Sequence, residues 1–229
     1  MPHGTIPRVP QFGAKRTATE RLVVLANGVF VPHGRIIDGA LSRDPLNTGE
    51  VHLLRAGLLL GEITASGKYA PSIIGVTSGA EAGGSTLIEV STAVATELVR
   101  RIGDSGTFNL VGPPTAGATV VTESVTYTAI DTTAGEITVA AITASFIGGS
   151  FISPDDGSGD FNSILGDGTG IRVLDEDLLD IDAPVNNLVV GGLVDQANIV
   201  NYPTDVALIA FVKSELRLRA PELRFDDDF

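Results

Sequence analysis

The sequence predicts a mainly β fold, of a sandwich or barrel-like kind, with two short helices, and three observations carry that prediction. Residues 57–71 read as a hairpin. Gly57 and Gly61 bracket an apolar run, Ile63 and Ala65 alternate with Glu62 and Thr64, Ser66-Gly67 is a turn dipeptide, and Tyr69 resumes an extended pattern that Pro71 stops. Residues 119–142 form a second and clearer hairpin signal. Val121, Val125 and Tyr127 alternate with Thr122, Ser124, Thr126 and Thr128, a turn follows over 131–135, and 136–142 returns as a strand. The third observation is composition. The 229 residues include 27 Gly and 12 Pro, enough for frequent turns, and are 43% hydrophobic but only 5% aromatic. Val, Ile, Leu and Ala must therefore fill the core, and the β-branched ones stiffen strands.

The remaining elements follow along the chain. Residues 1–19 hold three Pro and few large apolar groups, so they read as an extended arm. Residues 21–31 alternate weakly around Leu22, Val24 and Val29, with Asn27-Gly28 as a tight-turn pair. Residues 38–49 are turn-rich and 51–63 form a strand pair. The Gly, Ser, Ala and Thr of 75–84 suggest a boundary, and 86–90 a strand. Ser91 offers a capping hydroxyl to a helix over 92–102, where Val94, Leu98 and Ile102 share a stripe beside Ala95 and Val99. Arg100 and Arg101 occupy its last turn, where the dipole favours cations, and Gly103 stops it. Residues 108–111 form a strand ended by Gly112-Pro113-Pro114, and 143–152 continue into the second half. The acidic, Gly-rich tract 155–170 reads as irregular, and 171–174 and 188–194 as buried strands. After Pro203, Thr204 or Asp205 caps a second helix over 206–219, with Ile209, Val212 and Leu216 inward. Pro221 ends it, and Asp226-Asp227-Asp228 is a charged tail.

Charge and composition exclude several function classes. A net charge of −13 argues against nucleic-acid binding, which needs clustered Lys and Arg. Without Cys, disulfides, thiolate metal sites and cysteine catalysis are out. No apolar run reaches the ~18 residues of a membrane span, and the N-terminus lacks a secretory pattern, so a soluble protein made in the cytoplasm is expected. The charge is uneven: Arg8, Lys15, Arg16 and Arg21 face Glu20 alone in 1–22, whereas 150–210 is acidic with Arg172 as its one cation.

Candidate chemistry is sparse. Gly103-Asp104-Ser105-Gly106 resembles the nucleophile turn of chymotrypsin-like enzymes, but Thr107 departs from that pattern. His52 precedes Ser105 by too few residues to serve as the base of such a triad. His3 and His33 sit beside Pro or Gly, with no paired-His motif. Asp175, Asp177, Asp180 and Asp182 are weak Ca²⁺ candidates. Their spacing lacks the Gly and distal Glu of an EF-hand, and a solvated acidic connector explains them as well. Asp155, Asp156 and Asp160 admit the same two readings. Residues 166–170 lack the Lys and Ser/Thr of a phosphate-binding loop and read as a turn. No catalytic residue and no cofactor is expected.

The stretch 57–71 resembles the decoration (head-stabilising) proteins of tailed bacteriophages, of the lambda decoration-protein kind. In many of these an apolar strand of the form G-x-x-L-G-x-I-T leads into S-G-K-Y. Further phrases similar to such proteins are Gly149-Ser150-Phe151-Ile152, Pro154-Asp155-Asp156-Gly157-Ser158, 188–195 and Asn201-Tyr202-Pro203. The resemblance covers roughly 20–75 and 147–210. It implies three parts: an N-terminal arm at 1–19, a decoration core from 20–77 plus 147–229, and an inserted β-rich module at 78–146. It also implies a non-enzymatic virion protein on the capsid exterior, bound to the major capsid protein as a homotrimer at local threefold sites, with no nucleic-acid or membrane partner. Arg8, Lys15, Arg16 and Arg21 are the expected capsid contacts. The alternative is a head-fibre or host-binding β-module of the virion.

Overall fold

The computed structural model describes residues 23–31, 35–166, 168, 170–174 and 179–228. The chain folds into two curled, mainly antiparallel sheets and two helices, the fold class the sequence predicts. In chain order the elements begin with β1 (Val24–Phe30), β2 (Arg35–Ile37), β3 (Leu53–Leu54), β4 (Leu59–Glu62), β5 (Tyr69–Pro71), β6 (Gly75–Val76) and β7 (Leu87–Glu89). Helix α1 (Thr92–Ile102) follows, then β8 (Gly106–Gly112), β9 (Val121–Asp131), β10 (Glu136–Val139), β11 (Phe151–Pro154) and β12 (Ser163–Leu165). The chain closes with β13 (Ile171–Arg172), β14 (Ala183–Val185), β15 (Leu188–Val194), α2 (Val206–Arg219) and β16 (Glu222–Phe225).

The first sheet runs β1-β15-β12-β4-β5-β2-β14, with β16 also beside β15. Its strands come from both ends of the chain. The second runs β6-β11-β8-β9-β10-β7, drawn entirely from 75–154, and β3 pairs β13 in a separate ribbon. Among the described residues two pairings are parallel, β15 with β16 and β2 with β5.

Locally encoded features appear where their signals stand. Ser91 Oγ accepts the Val94 N–H at 3.3 Å to cap α1, and the Gly103 N–H, at φ +92°, donates to the Val99 carbonyl. Asp205 caps α2 by accepting the N–H groups of Ala207 and Leu208. The β9–β10 turn closes as expected, with Asp131 accepting the N–H groups of Thr133 and Ala134. The β4–β5 hairpin turns over 63–68, where Ile63 N–H donates to the Lys68 carbonyl and Gly67 takes φ +69°.

Other expectations are corrected. Asn27-Gly28 is no hairpin turn. It lies inside β1 as an irregularity against β15, where Val24 pairs Val194 and Val29 pairs Gly191. Asn27, at φ +52°, takes up the surplus chain length. Residues 51–63 do not pair with themselves, since β3 pairs β13 and β4 pairs β5 and β12. The tract 155–170 holds β12, a buried central strand between β4 and β15. On α2, Leu208 is buried where Ile209 is only half-buried, and Lys213 is buried too. The three terminal Asp are not a free tail. Asp227 and Asp228 pair with Lys213, Asp228 also with Arg217, and both cations lie over the Phe225 ring at 5.0 and 5.3 Å.

The core shows how the sheets share a wall. Period-two alternation sends Phe108, Leu110 and Ile152 against α1, with Val94, Leu98, Tyr127 and Ile137. The opposite-facing Val111 and Phe151 pack with Leu59, Ile164, Val189, Leu208, Val212 and Leu223 under α2. A third cluster, including Ile37, Leu60, Tyr69 and Leu188, fills the rest of the first sheet.

The junction is held at β4. A Cβ at Gly61 would fall 2.1 Å from the Ser158 carbonyl oxygen and 2.5 Å from that of Asp160. Above this crossing the Arg101 side chain, 1% exposed, donates to the Pro71 carbonyl at 2.5 Å and to Ser158 Oγ at 2.6 Å, and lies 3.7 Å from Asp156. Burial pushes the Arg101 pKa down, and the Asp156 charge works against that shift. Gly61→Ala is expected to cost about 3 kcal/mol by forcing backbone apart. Arg101→Ala should cost ~3–5 kcal/mol, because it strands buried acceptors. Urea unfolding checks both. The midpoint should fall at unchanged slope, and a variant within a few tenths of a kcal/mol of wild type would remove this junction from the account.

Candidate attachment surface

Four expected contacts, Arg8, Lys15, Arg16 and Arg21, lie outside the described residues. The chain emerges from them at Val23, which is fully buried, and passes straight into β1. β1 ends the strand order of the first sheet, so its outward edge faces no further strand among the described residues. Leu25, Val29 and Phe30 on it are each 43% exposed. Beside them a groove is lined by Ala26, Asn27, Val29, Gly192, Leu193, Glu222 and Arg224. Gly192 stands there for steric reasons. At φ +107°, a Cβ would meet the carbonyl oxygens of Asn27 and Ala26 at 2.7 and 2.8 Å. The displaced backbone of β1 thus demands glycine on its neighbour.

The other edge of the sheet is furnished differently. β14 carries Pro184, opposite Ile36, and a proline withholds a donor from any added strand. The acidic run before it is engaged by protein cations. Asp180 accepts from Arg43 at 2.5 Å and lies 3.9 Å from His52. Asp182 pairs with Lys68 at 2.7 Å and accepts the Gly39 N–H at 3.1 Å. Asp175 and Asp177 lie outside the described residues, and among the described residues no three acidic or His side chains group as metal ligands. Asp180 and Asp182 serve as ion-pair partners of Arg43 and Lys68.

Of the other candidates, His52 lines an apolar-walled pocket with Arg43, Pro45, Thr92 and Thr96, at the start of α1. Desolvation and then the Arg43 charge push its pKa down, against Asp180. Ser105 is exposed in the turn after α1 and does not line that pocket. The structure does not assemble the two as nucleophile and base. A Cβ at Gly170 would fall 2.1 Å from the Leu54 carbonyl oxygen, so tight chain approach explains that glycine. Sequence reasoning missed the β1 strip, because its weak alternation does not reveal which strand ends a sheet. It also missed Arg101, whose burial depends on a segment 57 residues away.

Compared with protein-family models, with curated proteins and with solved structures, the chain matches none.

Lys68 first, then the Gly39 N–H, hold the Asp182 carboxyl below the usual range. A depressed folded-state pKa contributes stability that is present above the unfolded value and lost as pH falls through the folded one. The stability gap between wild type and Asp182→Asn should therefore be open at neutral pH and close in the acid range below the ordinary Asp value. Denaturation at stepped pH checks this, and a gap that persists in acid would contradict the pairing.

Proposed function

We propose that this chain is a decoration, or cement, protein that binds the outer surface of a major capsid shell and reinforces it. One observation carries the reading. Strands from both stretches that resemble decoration proteins interleave in the first sheet, with β4 beside β12 and β1 beside β15, while β6 and β11 of the same stretches join the strands of 87–139 in the second sheet. A sheet that draws strands from both sides of 78–146 supports that resemblance. The strip along β1 suits attachment. A capsid strand laid against its edge would add main-chain hydrogen bonds and cover Leu25, Val29 and Phe30. The cations that precede β1 in the sequence, Arg8, Lys15, Arg16 and Arg21, suit an acidic rim, while the chain's net charge of −13 disfavours DNA.

Attachment as a homotrimer multiplies modest footprints, because the second and third contacts form at high effective concentration. No group needs to make or break a covalent bond. Purified protein is expected to co-sediment with empty capsids of its own phage. Deleting 1–19 should abolish that, and Leu25→Lys with Phe30→Lys should weaken it at least about tenfold. Circular dichroism establishes that each variant is folded. Full-length protein that stays in the supernatant at saturating capsid overturns the reading.

A further inference from the structure

The strands at the shared wall build a small cavity on the α2 side. Phe151 and Ser153 alternate onto one face, with Asp155 just past the strand end, and Asn109 and Val111 of β8 stand opposite Ser153 and Phe151. Phe211 and Glu215 of α2 come over them one helical turn apart. The space, open to solvent on one side, is about 190 Å³, and Asn109, Ser153, Asp155, Phe161, Phe211 and Glu215 line it. Phe161 meets Phe211 edge to face at 6.2 Å, so the apolar wall is rigid.

Two observations define what fits. The first is Ser153, 3% exposed, whose Oγ has no hydrogen-bond partner among the described residues. A buried hydroxyl left without a partner is costly, so an occupant that bonds it gains. The second is charge. Asp160 and Glu215 share Arg219, at 3.0 and 2.9 Å. Asp155 pairs with no cation among the described residues, and only Asn109 Nδ2 approaches it, at 3.4 Å. Three carboxylates thus line the cavity, two of them paired with Arg219. An anion is repelled, and an apolar occupant leaves the buried Ser153 hydroxyl unpaired and the exposed Asp155 charge without a counter-ion. A metal ion finds no group of three acidic or His ligands among the described residues.

The geometry points to a binding site for one basic side chain, an arginine or lysine of a partner polypeptide. Its aliphatic stem lies along Phe161 and Phe211, its charged head reaches the Asp155 carboxylate, and the Ser153 hydroxyl, inaccessible to solvent as it stands, turns outward to meet it. Long basic side chains combine these two needs, and a cation beside aromatic rings gains further. The inference does not depend on the capsid reading.

The test uses the full-length protein and two capped tripeptides, acetyl-Gly-Arg-Gly-amide and its citrulline counterpart, which is nearly isosteric but uncharged. Titration is followed by NMR of the Phe161 and Phe211 rings and the Asn109 side-chain amide. The arginine peptide should shift these signals saturably and bind about tenfold more tightly than the citrulline peptide. Asp155→Asn, at an exposed position, should remove that preference without unfolding the protein, and added salt should weaken it. Equal binding of the two peptides, shifts located elsewhere, or a preference that survives Asp155→Asn each overturns the proposal.

Discussion

The passage of 156–160 across Gly61 is the contact on which the rest of the arrangement depends. Backbone lies on backbone there, with no room for a side chain on β4. The crossing segment carries Asp156 and Ser158, which hold Arg101 of α1, and Arg101 in turn reaches Pro71 at the end of β5. One buried guanidinium thereby ties the helix of the second sheet to a hairpin of the first. Such a group is costly to desolvate, and only several good acceptors in fixed places make it tolerable. The Thr64 N–H adds a bond to the Asp156 carbonyl, which pins the crossing from the other side.

Because the sheets meet at that point, β11 is buried on both faces, and β8 on one face and at Val111 on the other. Their apolar residues serve two cores, Phe108 and Leu110 on one side and Val111 and Phe151 on the other. The Asp205 side chain extends the union by accepting the Gly117 N–H from the loop before β9 while it caps α2. Desolvation opposes ionisation of Asp205, yet the backbone donors of Gly117, Leu208 and Ala207 prevail and lower its pKa. The second sheet, whatever its external contacts, is therefore built into the wall of the first.

The surface divides by the same logic. Carboxylates near the β2–β14 edge and at the chain end are spent on internal cations, Arg43, Lys68, Lys213 and Arg217. The β1 edge keeps its apolar residues exposed, and Asp155 keeps its charge unmatched at the mouth of a cavity with an aromatic wall. These two places are where a partner gains most, one through backbone and apolar area and the other through charge.

Much of this was legible in single stretches of chain. Ser91, Gly103, Asp205, the 131–135 turn and the 63–68 turn act through bonds within a few residues, so their signals are local and they appear where the spacing puts them. Composition likewise determined a β-rich fold with an aliphatic core. Strand order was decided elsewhere. β12 hides in an acidic, Gly-rich tract because its stability comes from β4 and β15, which are far away in the chain. Arg101 reads as a helix-end cation and becomes a buried bridge only once residues 71 and 158 arrive beside it. Local hydrogen bonding and periodicity belong to the sequence. Which faces are covered, which charges are matched and which strand ends a sheet depend on contacts between distant segments, and only the folded chain brings those together.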